Sequence, residues 1–249
     1  MKRLVDIFLG GAALLLVSPI LLLFIVIVWT QDWKSPFYIA PRVGMGGRTF
    51  KMIKLRSMVS GADRTGVNST AVGDPRVTKI GSVIRKLKLD ELTQLLNVVR
   101  GEMSLVGPRP QTQKAGVDLY THEEMKLLSV RPGITDFSSI VFSDEGAILA
   151  GSENPDLDYN QLIRPWKSRL GLIYIAHSTI LLDLKLIILT VVAIVSKSHA
   201  LNGVVHILTG LKAPTAVIEV ARRRCPLVPT VPPGAFVVAS SVQINSGAR

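Results

Sequence analysis

The sequence predicts a mainly α-helical, membrane-associated protein with a small β-hairpin and no large sheet. Three observations lead there. An uncharged run of 23 residues extends from Ile7 to Trp29. A stripe of Leu89, Leu92, Leu96 and Val99 recurs at helical spacing in mid-chain. A Gly-rich turn at Gly44, Gly46 and Gly47 separates two short segments. The 249-residue chain is 48% hydrophobic, yet carries a formal net charge of +11. Apolar and basic surface together suit an anionic membrane face, where a well-placed Lys or Arg contributes roughly 1 kcal/mol. The cations are interleaved with Leu/Ile/Val runs and few aromatic residues, which favours membrane lipids over nucleic acid as the partner. The single cysteine, Cys225, excludes an intramolecular disulfide and a Cys-based zinc site.

Residues 1–33 form the first unit. The apolar run is long enough to cross a bilayer, too long for a secretory signal, and followed by no small-x-small cleavage site. Lys2 and Arg3 place one end in the cytoplasm, and Lys34, Arg42, Arg48, Lys51, Lys54 and Arg56 place the other end there too. One straight crossing cannot satisfy both. Pro19 removes a backbone donor and should kink the helix, with the Ser18 hydroxyl placed to satisfy a freed carbonyl. Two geometries remain: a re-entrant segment that enters and leaves by one face, or a tilted, proline-kinked spanning helix. Trp29 and Trp33 sit where interfacial aromatic rings collect.

Residues 34–200 form the second unit. The Gly-rich turn matches neither the dinucleotide nor the P-loop spacing and reads as a hairpin. Lys54 and Arg56 alternate with Ile53 and Leu55, a strand period that presents both cations on one face. Residues 60–82, rich in Gly, Ser, Thr and Asp, read as a long loop. A helix is expected from Ser82 as N-cap, carrying Asp90 at the edge of the apolar stripe and Glu91 one step round. Lys86 is four residues before Asp90, within pairing reach.

That acidic pair has three readings: a solvated helix face, a metal site, or a carboxylate that must approach an anionic substrate. Its surroundings favour the last. Gly107-Pro108-Arg109-Pro110 fixes an arginine in a stiff turn, and Arg131-Pro132-Gly133 repeats the device. A carboxylate attacking a pyrophosphate meets a repulsion of several kcal/mol, which Mg²⁺ and fixed cations must cancel. His122, His177, His199 and His206 build no Ser/His/Asp triad.

Near the C-terminus, Asp183 and Lys185 interrupt an apolar stretch, and the uninterrupted run Leu186 to Val195 is too short to span. An amphipathic helix lying in the interface is expected there, with a solvated or capping Asp183. Residues 201–249 are a C-terminal extension of unknown role; the character changes after Lys212, and from Arg222 the chain is Pro- and Val-rich without helical period.

The segments "FKMIKLRSM", "GDPRVTKIGSVIRKLKLDELTQLLNVVRGEMSLVGPRP", "RPGIT" and "LLDLKLIILTV" resemble the bacterial sugar transferases, the monotopic phosphoglycosyl transferases, from Met1 to about Lys197. The resemblance implies a re-entrant helix broken at Ser18-Pro19, at the cytoplasmic face of the bacterial inner membrane. It implies that Asp90 attacks the sugar-bearing phosphate of a UDP-sugar, releasing UMP. Undecaprenyl phosphate then takes the phosphosugar, initiating an exopolysaccharide, O-antigen or glycoprotein glycan. Asp90 and Glu91 would hold Mg²⁺. Lys54, Arg85 and Arg109 would hold phosphates, supported by Arg56. Homodimerisation is left open by the apolar surface. Two departures stand out: Thr93 where the family has proline, which should leave the helix straighter, and "DFSSIVFSDEGAIL" at residues 136–149 where many members carry Gly-Trp and an Asn-Gly segment, which leaves the donor open if that region touches sugar or base. The rivals are a glycosyltransferase releasing UDP, a non-catalytic membrane scaffold and a nucleic-acid binder.

Overall fold

The computed structural model describes residues 1–65, 70, 73–114 and 116–240. Part of the expected 60–82 loop lies outside the described residues. The first helix, α1 (Lys2–Thr30), runs unbroken through Pro19. Proline at 19 cannot donate to the Leu15 carbonyl four residues earlier, and the Ser18 hydroxyl supplies that bond at 2.8 Å. The Leu15 carbonyl therefore keeps a partner across the proline. Its outer side exposes Leu4, Phe8, Leu15, Leu16, Leu22 and Leu23.

Both ends of α1 are tied to the same body. At the start, Lys2 pairs with Asp183 and donates to the Val106 carbonyl (3.1 Å). Arg3 donates to the carbonyls of Val98 and Val99, and the buried Asp6 carboxylate accepts from Ser104 Oγ and the Leu105 amide. At the far end, Arg56 clamps Asp32 through both guanidinium nitrogens (2.7 and 2.6 Å) and reaches the Val28 carbonyl.

The expected hairpin is present: β1 (Phe37–Val43) pairs antiparallel with β2 (Thr49–Leu55). Gly46 and Gly47 in its turn have φ of 68° and 76°, which favours glycine. Beyond it, the single helix expected from Ser82 is three. α2 (Lys79–Lys86) begins earlier, with Thr78 as the cap accepting from the Gly81 amide. Lys88 adopts φ 57° and breaks the run, so Asp90 and Glu91 ride on a separate turn, α3 (Leu89–Leu92). α4 (Leu95–Arg100) follows. The break corrects the simple picture of Lys86 stacked on Asp90, and no such ion pair forms. Gly81 lets α2 approach the backbone closely: a Cβ there would meet the Ser57 carbonyl oxygen at 1.8 Å.

The two proline-flanked arginines are joined by structure that periodicity did not reveal. Short strands β3 (Ser104–Val106) and β4 (Gly133–Thr135) pair in parallel, which brings Gly107 against Gly133. The remaining helices are α5 (Phe137–Val141), α6 (Glu145–Ile148), α7 (Pro155–Asp158), α8 (Arg164–Ala176), α9 (Ile180–Val195), α10 (Lys197–Gly210) and α11 (Thr215–Arg222), with a π-helical turn at Tyr159–Ile163. The main core unites Phe137, Ile140, Leu170, Leu186, Val204, Leu208, Val217 and Ala221. α10 therefore crosses the expected division at residue 200 as part of this core. After Lys212 the chain adds one more helix, Thr215–Arg222, which packs Val217 and Ala221 into the same core.

α9 leaves Leu181, Leu184, Ile188, Val191 and Ile194 exposed along one side while burying Leu182 and Leu186. Asp183 is neither solvated nor a cap: it is buried, accepts from Tyr174 at 2.6 Å and pairs with Lys2.

Candidate active site

The dyad is positioned from three directions. α3 presents Asp90 and Glu91. β2 presents Lys54 beside them, because Thr93, two residues beyond Glu91, donates its hydroxyl to the Ile53 carbonyl (3.0 Å) and to the Asp90 carbonyl (3.2 Å). The turn after β3 presents Arg109. The Lys54 ammonium stands 3.8 Å from Asp90 Oδ2 and 3.8 Å from Glu91 Oε1, and Arg109 Nη2 donates to Glu91 Oε1 at 2.6 Å.

These groups line a cleft of about 1690 Å³ that also includes Arg56, Arg85 and Lys88. All six sequence-predicted site residues thus meet one cavity, in unequal states. Arg85 Nε donates to Ser57 Oγ at 3.0 Å. Arg56 is closed on Asp32 and Val28, which joins the end of α1 to the cleft wall. Arg131, expected to be a pre-organised cation like Arg109, instead donates to the Gly101 carbonyl at the end of α4.

The two acids differ electrostatically. Burial pushes the Asp90 carboxyl above its ordinary value, and the neighbouring Glu91 charge adds to this, against the pull of Lys54. Burial also works on Glu91, but there Arg109, Lys54 and Lys88 outweigh it and hold the carboxyl well below the usual range. Burial and Arg109 depress Lys54 despite its two acidic neighbours. One acid is thus firmly ionised and the other is a desolvated carboxyl facing the cavity. Both offer hard oxygen donors. Among the described residues no third Asp, Glu, His or Cys joins them in a group of three.

Sequence reasoning missed part of the wall. Lys167 pairs with Glu145 and lies 5.1 Å from the centre of the Tyr159 ring, and all three line the cleft. Asp144, also on the wall, pairs with Lys197 at 2.6 Å. The signal available was that Asp144 and Glu145 fall within the 136–149 segment. The buried Glu124 is held by Arg164, Ser168 and the Thr121 amide away from the cleft.

Comparison with known proteins places this arrangement in context. The chain is 42% identical over 149 residues to the exopolysaccharide production protein ExoY of Rhizobium meliloti, covering 54% of this chain and 66% of that protein. It is 31% identical over 211 residues to the UDP-glucose:undecaprenyl-phosphate glucose-1-phosphate transferase of Caulobacter vibrioides, covering 80% and 71%. It is 38% identical over 198 residues to the undecaprenyl-phosphate glucose phosphotransferase of Komagataeibacter xylinus, covering 76% of this chain but 35% of that one. The match thus spans just under two thirds of the first relative and about a third of the last. The bacterial sugar transferase family matches residues 1–197, the part that contains α1, the hairpin, the dyad and its cations. By that match the chain belongs to the bacterial sugar transferase family.

Proposed function

We propose that the protein transfers a sugar-1-phosphate from a UDP-sugar to undecaprenyl phosphate through a phosphosugar bound covalently to Asp90. The observation that carries this reading is the placement of Lys54 3.8 Å from both Asp90 and Glu91, with Arg109 on the same Glu91 oxygen, Oε1. A carboxylate and a diphosphate in contact repel each other by about 4 kcal/mol at an effective dielectric near 20. Fixed cations beside the nucleophile offset that term and grow in value as charge builds on the transferred phosphoryl oxygens.

In the first step an Asp90 carboxylate oxygen bonds to the sugar-bearing phosphorus and the bond to the UMP oxygen breaks, so UMP leaves with the electron pair. In the second, an oxygen of undecaprenyl phosphate attacks the same phosphorus and the Asp90 carboxylate departs. Splitting one transfer into two by a covalent intermediate is an established catalytic strategy. Lys54, Arg85 and Arg109 hold the phosphates, and Arg56 fixes the cleft wall to the end of α1. Asp90 and Glu91, two hard oxygen donors turned toward one cation, fit Mg²⁺, which takes one or two carboxylates and completes its shell with phosphate oxygens and water. When bound, Mg²⁺ would supply charge neutralisation for the diphosphate.

The same reading makes the protein monotopic, at the cytoplasmic face of the inner membrane. It is supported by the attachment of both ends of α1 to one body, through Lys2–Asp183 and Arg56–Asp32. A helix fixed at both ends cannot carry one of them to the far side of a bilayer. The exposed apolar sides of α1 and α9 supply the surface that enters lipid.

The test is incubation with candidate UDP-sugars and Mg²⁺ without lipid acceptor, followed by peptide mass mapping. A phosphosugar mass on the peptide carrying Asp90, with one equivalent of UMP, is expected, and Asp90→Asn should abolish both. Release of UDP, or full turnover by Asp90→Asn, would overturn the proposal.

A further inference from the structure

The wall of the cleft carries a second charged pair that the transfer chemistry does not use. Lys167, on α8, reaches Glu145 Oε2 on α6, and the ammonium lies 5.1 Å from the centre of the Tyr159 ring. The pair is unlike the buried pair Arg164–Glu124. There every carboxylate oxygen is consumed: Oε2 by Arg164 and the Thr121 amide, Oε1 by Ser168. In the cleft, Lys167 takes only Oε2 of Glu145. Among the described residues Glu145 Oε1 and the Tyr159 hydroxyl have no hydrogen-bond partner, and Lys167 has spare N–H groups beyond the one it gives Glu145. The Glu145 side chain is 33% exposed and that of Lys167 12%. An open acceptor and an open donor therefore stand side by side on the wall of a cavity.

Their place relative to the dyad narrows the ligand. Glu145, Tyr159 and Lys167 line the same cleft as Asp90, Glu91 and Arg109. Arg109 is the residue that grips Glu91. In a nucleotide sugar the group directly attached to the attacked phosphorus is the sugar ring, whereas the base lies a further phosphate and a ribose away. We propose that Glu145 and Lys167, with Tyr159, form the subsite that recognises a ring hydroxyl of the donor's sugar. The hydroxyl donates to Glu145 Oε1 and accepts from Lys167, and the Tyr159 ring and hydroxyl border the same spot. A carboxylate only accepts, so the subsite selects a donor carrying a hydroxyl at that ring position. The inference rests on the phosphosugar-transfer reading and specifies its donor.

The test is a cycle between protein and substrate. The UDP-hexose that the wild type accepts, and its monodeoxy analogues, are compared by kcat/KM for adduct formation on Asp90, with the wild type and Glu145→Gln. A site built around a hydroxyl penalises its loss strongly. One deoxy position should therefore cost the wild type about tenfold or more, and cost Glu145→Gln less than about twofold. Inhibition by UMP, which lacks the sugar, should be the same in both proteins. Lys167→Met carries the same cycle from the other partner if Glu145→Gln fails to fold. A deoxy penalty that persists undiminished in the variants would overturn the inference, as would parallel loss of UMP binding, which would assign the pair to the base. Failure of both variants to fold would assign it to the scaffold, with the same result. An adduct in the wild type without this coupling removes the donor subsite alone. Absence of any adduct from every UDP-sugar removes the transfer reading and the subsite together.

Discussion

Lys54 holds its ammonium 3.8 Å from the Asp90 carboxylate, across the seam between β2 and α3. The same nitrogen is equally distant from Glu91, so one cation serves two adjacent acids in a buried place. Removing it leaves Asp90 beside an ionised Glu91 with burial unopposed on that side. Lys54→Met should lower the rate of adduct formation by about 10²–10³, the size of losing one fixed charge-stabilising group, and Lys54→Arg should recover part of it. Quenched-flow measurement of UMP release checks this; a Met variant within a few-fold of wild type would remove Lys54 from the site.

Ser18 and Pro19 form a compensated pair. Pro19 withholds the amide that the Leu15 carbonyl needs, and Ser18 replaces it at 2.8 Å. Ser18→Ala should therefore destabilise the protein by about 1–2 kcal/mol, the cost of an unpaired carbonyl out of water. In a Pro19→Ala background, where the amide is restored, the same change should cost almost nothing. Thermal unfolding in detergent of the wild type, both single variants and the double variant measures the coupling. Equal effects of Ser18→Ala in both backgrounds would show that the hydroxyl does not serve that carbonyl.

Arg56 and Asp32 give the attachment of α1 a pH limit. Hydrogen bonds from Arg56 hold the Asp32 carboxyl down at about 2 in the fold, below the roughly 3.9 of an unpaired aspartate. A carboxyl depressed by folding stabilises fully above its unfolded value and loses that contribution as pH falls through its folded value. The clamp should thus hold down to about pH 4 and release between about pH 4 and 2. Trp29 and Trp33, with ring centres 4.7 Å apart in an edge-to-face arrangement, report on this end of α1. Their fluorescence should change across that window, and Asp32→Asn should show the released signal already at neutral pH. An unchanged spectrum in Asp32→Asn would mean that the clamp does not position the helix end.

What could be read in advance, and what could not, follows from the range of the forces involved. The hairpin was legible because glycine at positive φ and strand alternation are local signals, as was the apolar length of α1. Asp90 and Glu91 were legible because an acidic pair among fixed cations is chemically unusual. The helix break at Lys88 was not, because lysine carries no preference for φ 57° and tertiary contacts impose it. Thr93 shows the same limit. Its sequence reading concerned helix straightness, whereas its hydroxyl joins the dyad's backbone to β2. Arg131 and Arg109 share a proline-flanked pattern, yet one caps α4 and the other grips Glu91, a difference set by the parallel pairing of β3 and β4. Asp183 was misread because its partner Lys2 lies far along the chain.

The segment after Cys225 makes a prediction of its own. It runs across the surface of α8 and the π-helical turn: Thr121 Oγ1 donates to the Pro233 carbonyl (2.5 Å), Arg169 to that of Val231 (2.7 Å) and Gln161 to that of Ala239 (2.8 Å), while the Thr230 amide donates to the Gln161 carbonyl (3.0 Å). Net bonds of this kind contribute about 0.5–1.5 kcal/mol each. Deleting residues 226–249 should therefore lower stability by about 2–6 kcal/mol, or roughly 5–20 °C in Tm for a chain of this size. Gln161 belongs to the same turn as Tyr159, so the deletion should also raise KM for the UDP-sugar more than it lowers kcat. Differential scanning calorimetry and initial-rate kinetics on the truncated chain check both parts. An unchanged Tm would mean that the segment does not hold the turn, whereas a lower Tm with unchanged KM would confine its role to stability.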